Sequence, residues 1–349
     1  MTICSGWTTR LIRAFALLVC IAAMAISTAG GAGYHRIKTI KLGGQDGWDY
    51  LTFDPASRRL YISRATHVVV LDVTHGTVVG DIPDTPGVHG VALAPELDRG
   101  FTSNGRAATV TIFDTKTLAV IGHTTTGEGP DAIVYDPASH RVFTMNGHGH
   151  TSTAIDAASG RVVGTIELGG KPEFAVSDGK GHVYVNLEDK SEAVALDTGT
   201  FTVLHRWPMA PCEAPSGLAI DREHRRLFAG CHNKMMAVLD ADSGKVITTL
   251  LIGEGVDANG FDPGTQLAFS SNGGDGTLTV VHEDSPEQFT VVENVPTQKG
   301  ARTMALDETT HDIYLITADL GPPPPSTSEQ QHPRPSIVPG SVVVLMYGR

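Results

Sequence analysis

The sequence predicts an all-β fold, a seven-bladed β-propeller of four-stranded antiparallel blades whose last blade is closed by an N-terminal strand. Three observations predict it. A unit recurs about every 42 residues, each copy carries the same order of turn signals, and one spare strand at the N-terminus completes the last copy. The composition agrees: 18% of residues are charged, 39 are Gly, and Val and Thr are frequent, which favours strands and tight turns over helices.

The unit is clearest in Leu51-Thr-Phe-Asp-Pro-Ala-Ser-Arg-Arg-Leu-Tyr61 and in Ile133-Val-Tyr-Asp-Pro-Ala-Ser-His-Arg-Val-Phe143. It returns in the segments that start at Leu218 and Met304, and more weakly at Val91, Ala175 and Asn259. The anchor position holds Asp54, Ala94, Asp136, Asp178, Asp221, Asp262 and Asp307. A short apolar strand ends at the anchor. A turn follows in which Pro presets φ and Asp bonds back to the backbone. A second strand, a Gly/Asn loop, a third strand and a turn such as Asp242-Ser-Gly244 lead to the fourth. The seventh copy has three strands, the third over 341–347, and 35–42 supplies the fourth. Closing the ring this way removes the exposed sheet edges. A Pro-rich insert, 320–340, splits the second and third strands of the last blade. Four consecutive prolines there favour extended, unpaired chain, read as a solvated loop or, more sharply, as a lid or docking arm.

The first 29 residues stand apart. Arg10 and Arg13 flank the start of an apolar run that ends in small residues, the pattern of a secretory signal cleaved after Ala29 or Ala32. The rival reading is a retained anchor, although the run is short for a membrane span. The propeller then occupies 34–349, is exported to the periplasm or beyond, has no membrane span and acts as a monomer. Loss of the leader removes two arginines and no acid, so the formal charge falls from −12 to −14. That balance repels phosphate backbones and argues against nucleic acid as a partner. Cys212 and Cys231 remain. They fall at one face of one blade and are read as a disulfide, with free buried thiols or a metal site beside His232 as alternatives.

The unit Asp-Pro-Ala-Ser-Arg-Arg-Leu-Tyr-Ile-Ser, followed by Val-Val-Val-Leu-Asp-x-x-x-Gly-x-Val-Val-Gly-x-Ile, resembles the YVTN-repeat, YncE-like propellers over essentially the whole chain after the leader. The resemblance implies the propeller fold and a periplasmic or surface location, with ligands poorly defined. One branch of that group is linked to single-stranded DNA. This acidic chain lacks the basic, aromatic stripe that role needs.

The repeat superposes residues that no linear motif joins. Five positions before each anchor stand Asp49, His89, Asp131, Glu173, Ser216, Asp257 and Arg302, at the entry to the innermost strand and hence around the central channel. Carboxylates crowded at one mouth repel one another, so their pKa values rise unless a cation is present. Arg302 can pair with its neighbours. Asp131, Glu173, Asp257 and His89 are candidate ligands for a divalent metal such as calcium, magnesium or zinc, or for a cationic ligand. The alternative is that they cap strand ends around water. Loops on the same face add Arg64, Arg106 and the pair His148 and His150 as candidate ligand or metal contacts. Trp48 is a candidate wall, with packing between blades as the alternative. No Walker loop, His-Glu-x-x-His or Gly-x-Ser-x-Gly signature occurs. The sequence therefore reads as a binding or scaffold propeller for a small ligand, metal ion or protein partner. The enzyme alternative is a metal-dependent lyase or lactonase, with His89 as acid or base.

Overall fold

In a computed structural model, which describes residue 1, residues 33–323 and residues 335–349, the repeat becomes seven four-stranded antiparallel sheets. The leader lies outside the described residues, as does 324–334 of the Pro-rich insert. Blade 1 is Leu51–Asp54, Arg59–Arg64, His67–Asp72 and Thr77–Ile82. Blades 2 to 6 span 88–125, 130–167, 172–208, 215–251 and 256–296. Blade 7 is Met304–Asp307, Asp312–Thr317 and Val343–Gly348, completed by His35–Lys41, which pairs antiparallel with Val343–Gly348. The ring is thus closed by a strand from the other end of the chain, and Gly33–Arg349 forms one compact unit.

The anchor aspartates act locally. Asp54 accepts the Ala56 N–H and the Ser57 hydroxyl, and Asp136 accepts both from Ser139. Each carboxylate thereby holds the turn that lets the second strand fold back on the first.

The core lies between blades. Seven aromatics at one register position, Tyr61, Phe101, Phe143, Tyr184, Phe228, Phe269 and Tyr314, are all buried. Full burial of such a side chain contributes about 1.5–3 kcal/mol. The outer strands alternate in exposure, as in Val162–Glu167, because only one side of the edge strand packs.

Polar links cross from blade to blade. Arg59, Arg99 and Arg141, at the start of three second strands, donate to the carbonyls of Thr115, Ala157 and Thr198 in the next blade. The seam from blade 7 to blade 1 is closed by the Arg58–Asp307 ion pair.

A second repeated device sits at the end of the second strands. Asn104 Nδ2 donates to the hydroxyls of Thr109 and Thr111, Asn146 to Thr151 and Thr153, and Asn272 to Thr277 and Thr279. These asparagines are buried and extended. They clasp strands rather than supplying left-handed turns, a role filled nearby by Ala65, Ala108 and His150.

The insert leaves blade 7 through a closed neck. Gly321 N–H donates to the Ser336 carbonyl at 2.8 Å and Val338 N–H to the Asp319 carbonyl at 2.9 Å. Among the described residues, no helix is long and apolar enough to cross a membrane.

Candidate functional site

The innermost strands converge on the channel axis, so side chains at their entries are forced together at one face. The seven entry residues come from seven blades, and six of them form a continuous chain of polar contacts. His89 Nδ1 lies 2.6 Å from Asp49 Oδ2 and 3.6 Å from Asp131 Oδ1. Arg302 bridges the other way, donating from Nε to Asp257 Oδ2 at 2.5 Å and from a terminal nitrogen to Asp49 Oδ1 at 3.5 Å. Ser216 Oγ donates to Asp257 Oδ1 at 3.0 Å. The order around the mouth is therefore Asp131, His89, Asp49, Arg302, Asp257, Ser216.

Glu173 is the exception. Its partner is Lys171, at 3.4 Å, in the loop just before the innermost strand, and Lys171 makes a closer pair with Glu188. Glu173 Oε2 is buried and has no hydrogen-bond partner. The sequence reading missed Lys171, although Gly169-Gly-Lys-Pro172 places it two positions before the ring.

The axis beneath the ring is filled. Tyr50 of blade 1 meets Phe174 of blade 4 edge-on, with ring centroids 5.1 Å apart. Blades 1 and 4 are not neighbours, so these rings touch across the channel. Phe174 also packs against the cores of blades 5 to 7. Beside this contact the mouth opens as a cup about 510 Å³ in volume. Its wall combines Asp49, His89, Asp131 and Arg302 with Trp48, Arg106, His148, Lys171 and the backbone of several glycines. Gly129 is required by its φ of +62°, where a Cβ would also meet His148 Nδ1 at 2.8 Å, and a Cβ on Gly105 would press on the His89 ring at 2.7 Å from Nε2.

Five sequence candidates do not line the cup: Glu173, Ser216 and Asp257 stand on its far side in the ring, and Arg64 and His150 lie elsewhere. Arg64 is buried and donates to the carbonyls of Gly43 and Asp46, so it holds the loop after the closing strand instead of facing a ligand. His150 occupies a left-handed position beyond the cup wall, and its carbonyl accepts the Leu168 N–H. His148 lines the cup and His150 does not. The four-ligand set Asp131, Glu173, Asp257 and His89 is also broken, because Asp257 is taken by Arg302 and Ser216. The trio whose donor atoms gather within 4.8 Å is Asp49, His89 and Asp131. Cys212 and Cys231 are disulfide-bonded, with Cα atoms 5.6 Å apart, at the same face of blade 5.

The electrostatics follow from partners. Burial lowers the His89 imidazole, but its hydrogen bond to Asp49 and the charges of Asp131, Asp49 and Glu173 outweigh this and raise it to about 9. His89 is therefore protonated at neutral pH and acts as a donor. Burial raises Asp131 to about 6, with the neighbouring His89 pulling the other way. Burial and the Asp131 charge push Glu173 up to about 8, only partly countered by Lys171. Burial, then the four ring carboxylates, hold the Tyr50 phenol well above its usual value.

Fold and site together define a seven-bladed β-propeller with a charged channel mouth, and the fold is consistent with a binding or scaffold role. No family model and no curated protein match the chain. Solved structures do. A chain of hydrazine synthase from Kuenenia stuttgartiensis aligns at TM-score 0.70 and 14% identity, over 78% of this chain and 92% of that one. The RRP9 WD40 repeats align at TM-score 0.73 and 9% identity, over 89% and 96%. A chain of the mitotic checkpoint complex aligns at 0.71 and 12%, over 94% and 99%. At these identities the likeness shows the fold alone.

Proposed function

We propose that this propeller is an exported binding protein whose channel mouth takes a small ligand carrying a positive charge, seated between Asp131 and Glu173. One observation carries the reading. Around the mouth Asp49 and Asp257 are matched by Arg302 and His89, whereas Glu173 has a buried oxygen without a hydrogen bond among the described residues and shares Lys171 with Glu188. A buried carboxylate without a full partner is costly, and a ligand cation relieves that cost. The wall supplies cations as well, Arg106, Lys171 and Arg302, which suits a ligand with a second, anionic or polar end.

Isothermal titration of the purified protein with calcium chloride, zinc chloride and putrescine tests this. One of these cations binds and releases close to one proton at pH 7, read from the dependence of the heat on buffer ionisation. Glu173→Gln abolishes the release and weakens binding at least tenfold. Calcium or putrescine binding that ignores Glu173→Gln and Asp131→Asn, or no binding of any of the three cations, refutes the reading.

A metal at Asp49, His89 and Asp131 is the second reading, favoured by their convergence within 4.8 Å. It requires His89 to give up its proton, and it would supply the Lewis acid that a lyase or lactonase needs. Zinc affinity that rises steeply with pH and vanishes in His89→Ala supports it. The leader at 1–29 and the resemblance of the repeat to YncE-like propellers support export. Mass spectrometry of the secreted protein then finds Gly30 or Gly33 at the N-terminus.

A further inference from the structure

The repeat is broken at two positions that meet in space, away from the channel mouth. Three residues after the anchor, five blades carry a hydroxyl or a glycine: Ser57, Ser139, Gly181, Thr265 and Thr310. Ser57, Ser139, Thr265 and Thr310 each donate to their own anchor aspartate. Blade 5 places His224 there. The residue that follows the third strand, whose N–H donates to the carbonyl just before the second strand, is Val73, Thr115, Ala157, Thr198 or Ala241 in blades 1 to 5. Blade 6, whose third strand runs on to Ser285, places Glu283 at that register, with its N–H donating to the Gln266 carbonyl in the same way.

These two departures face one anchor. In blade 4 the hydroxyl of Thr198 donates to Asp136, the anchor of blade 3, at 2.9 Å. The corresponding contact between blades 6 and 5 sets the Glu283 carboxylate against Asp221, an acceptor against an acceptor. His224 Nδ1 lies 2.8 Å from Asp221 Oδ2 and 3.0 Å from Glu283 Oε1. It nonetheless makes a well-directed hydrogen bond with neither, and both Glu283 oxygens are buried without a hydrogen-bond partner. The Asp221 and Glu283 side chains are each only 1% exposed, while His224, at 32%, opens the cluster to solvent. Asp221 is already turned by its own loop, accepting the N–H groups of Glu223 and His224.

We propose that Asp221, His224 and Glu283 form a divalent-metal site, with zinc as its best-fitting ion, that staples blade 5 to blade 6. Ligand atoms about 2.0–2.2 Å from a zinc ion stand roughly 3.0–3.5 Å from one another, so the observed separations need little adjustment. One imidazole and two carboxylates suit a borderline ion such as zinc, and the partly exposed His224 leaves an entry path and room for water as a fourth ligand. The ligands come from two blades, so the ion would add to the inter-blade link that Arg226 makes from Nε to the Pro286 carbonyl at 2.7 Å.

Zinc titration of chelator-treated full-length protein, followed by calorimetry and thermal unfolding, tests the site. His224→Ser and Glu283→Ala install residues that other blades carry at the same positions, so both variants fold. The wild type binds a zinc ion between blades 5 and 6 whose addition raises the unfolding midpoint. Each variant loses that ion, with affinity falling by more than about 100-fold, and shows no zinc-dependent rise. An Asp131→Asn/His89→Ala variant, altered only at the channel mouth, keeps the ion. A wild type that binds no zinc overturns the proposal. So does zinc binding by the mouth variant that survives the further change His224→Ser or Glu283→Ala, or a mouth variant that binds no zinc.

Discussion

Replacing Glu173 with Gln should stabilise the protein at neutral pH, although the substitution removes a charged residue from a candidate binding site. The carboxyl titrates near 4.5 in the unfolded chain and is pushed up to about 8 in the fold. Between those values the folded state holds a proton that the unfolded state has released, so stability falls as pH rises. At pH 7 the cost is about 1.4 kcal/mol for each pH unit above 4.5, or roughly 3 kcal/mol if the burden falls on Glu173 alone. Because Asp131 and His89 share the proton balance, about 2 kcal/mol is the working figure. Gln keeps the shape and cannot ionise. The assay is chemical denaturation of wild type and Glu173→Gln from pH 4.5 to 8.5, at low salt and without divalent cations. The two curves coincide near pH 4.5 and separate progressively, with the variant the more stable at pH 8.5. A saturating cation that binds the cup closes the gap by stabilising only the wild type. Parallel curves across the range, or a variant less stable at pH 8, would refute the claim that Glu173 is an under-compensated buried acid.

Other perturbations act through the same physics. Arg302→Ala strips the shared cation from Asp257 and Asp49 and should cost about 3–5 kcal/mol, read as a lower denaturation midpoint that recovers in part at acid pH. Asn146→Ala opens the clasp on Thr151 and Thr153 and leaves buried hydroxyls unpaired, for a loss of about 1–3 kcal/mol by the same assay. Reduction of Cys212–Cys231 frees a loop closed across 19 residues and should cost about 3 kcal/mol, seen as a lower unfolding midpoint in dithiothreitol that a Cys212→Ala/Cys231→Ala variant no longer shows.

The blades were legible because turn chemistry is local. Asp-Pro-Ala-Ser needs nothing beyond its own backbone to turn, so four strong copies and three weaker ones at the same period counted the ring and showed that 35–42 completes it. The register of the innermost strands was legible too, since one period carries each entry residue to the same place. Other features were not legible, because they depend on atoms brought in from elsewhere. Arg64 looked like a ligand contact until the loop at Gly43–Asp46 was seen to cover it. Glu173 looked no different from Asp257. Only the fold gives Arg302 to the second and leaves the first with a lysine already engaged by Glu188. Tyr50 and Phe174 lie far apart in sequence and meet only because the ring closes across its axis.

The sequence by itself determined the repeat, the blade number, the closing strand and the pairing-competent positions of Cys212 and Cys231, because spacing and short-range turn preference specify each of them. The tertiary structure alone decided which charges are matched, which donors lack acceptors and where the channel is plugged. Those properties belong to pairs of side chains from different blades, and no order of residues along one chain states how close two such atoms come.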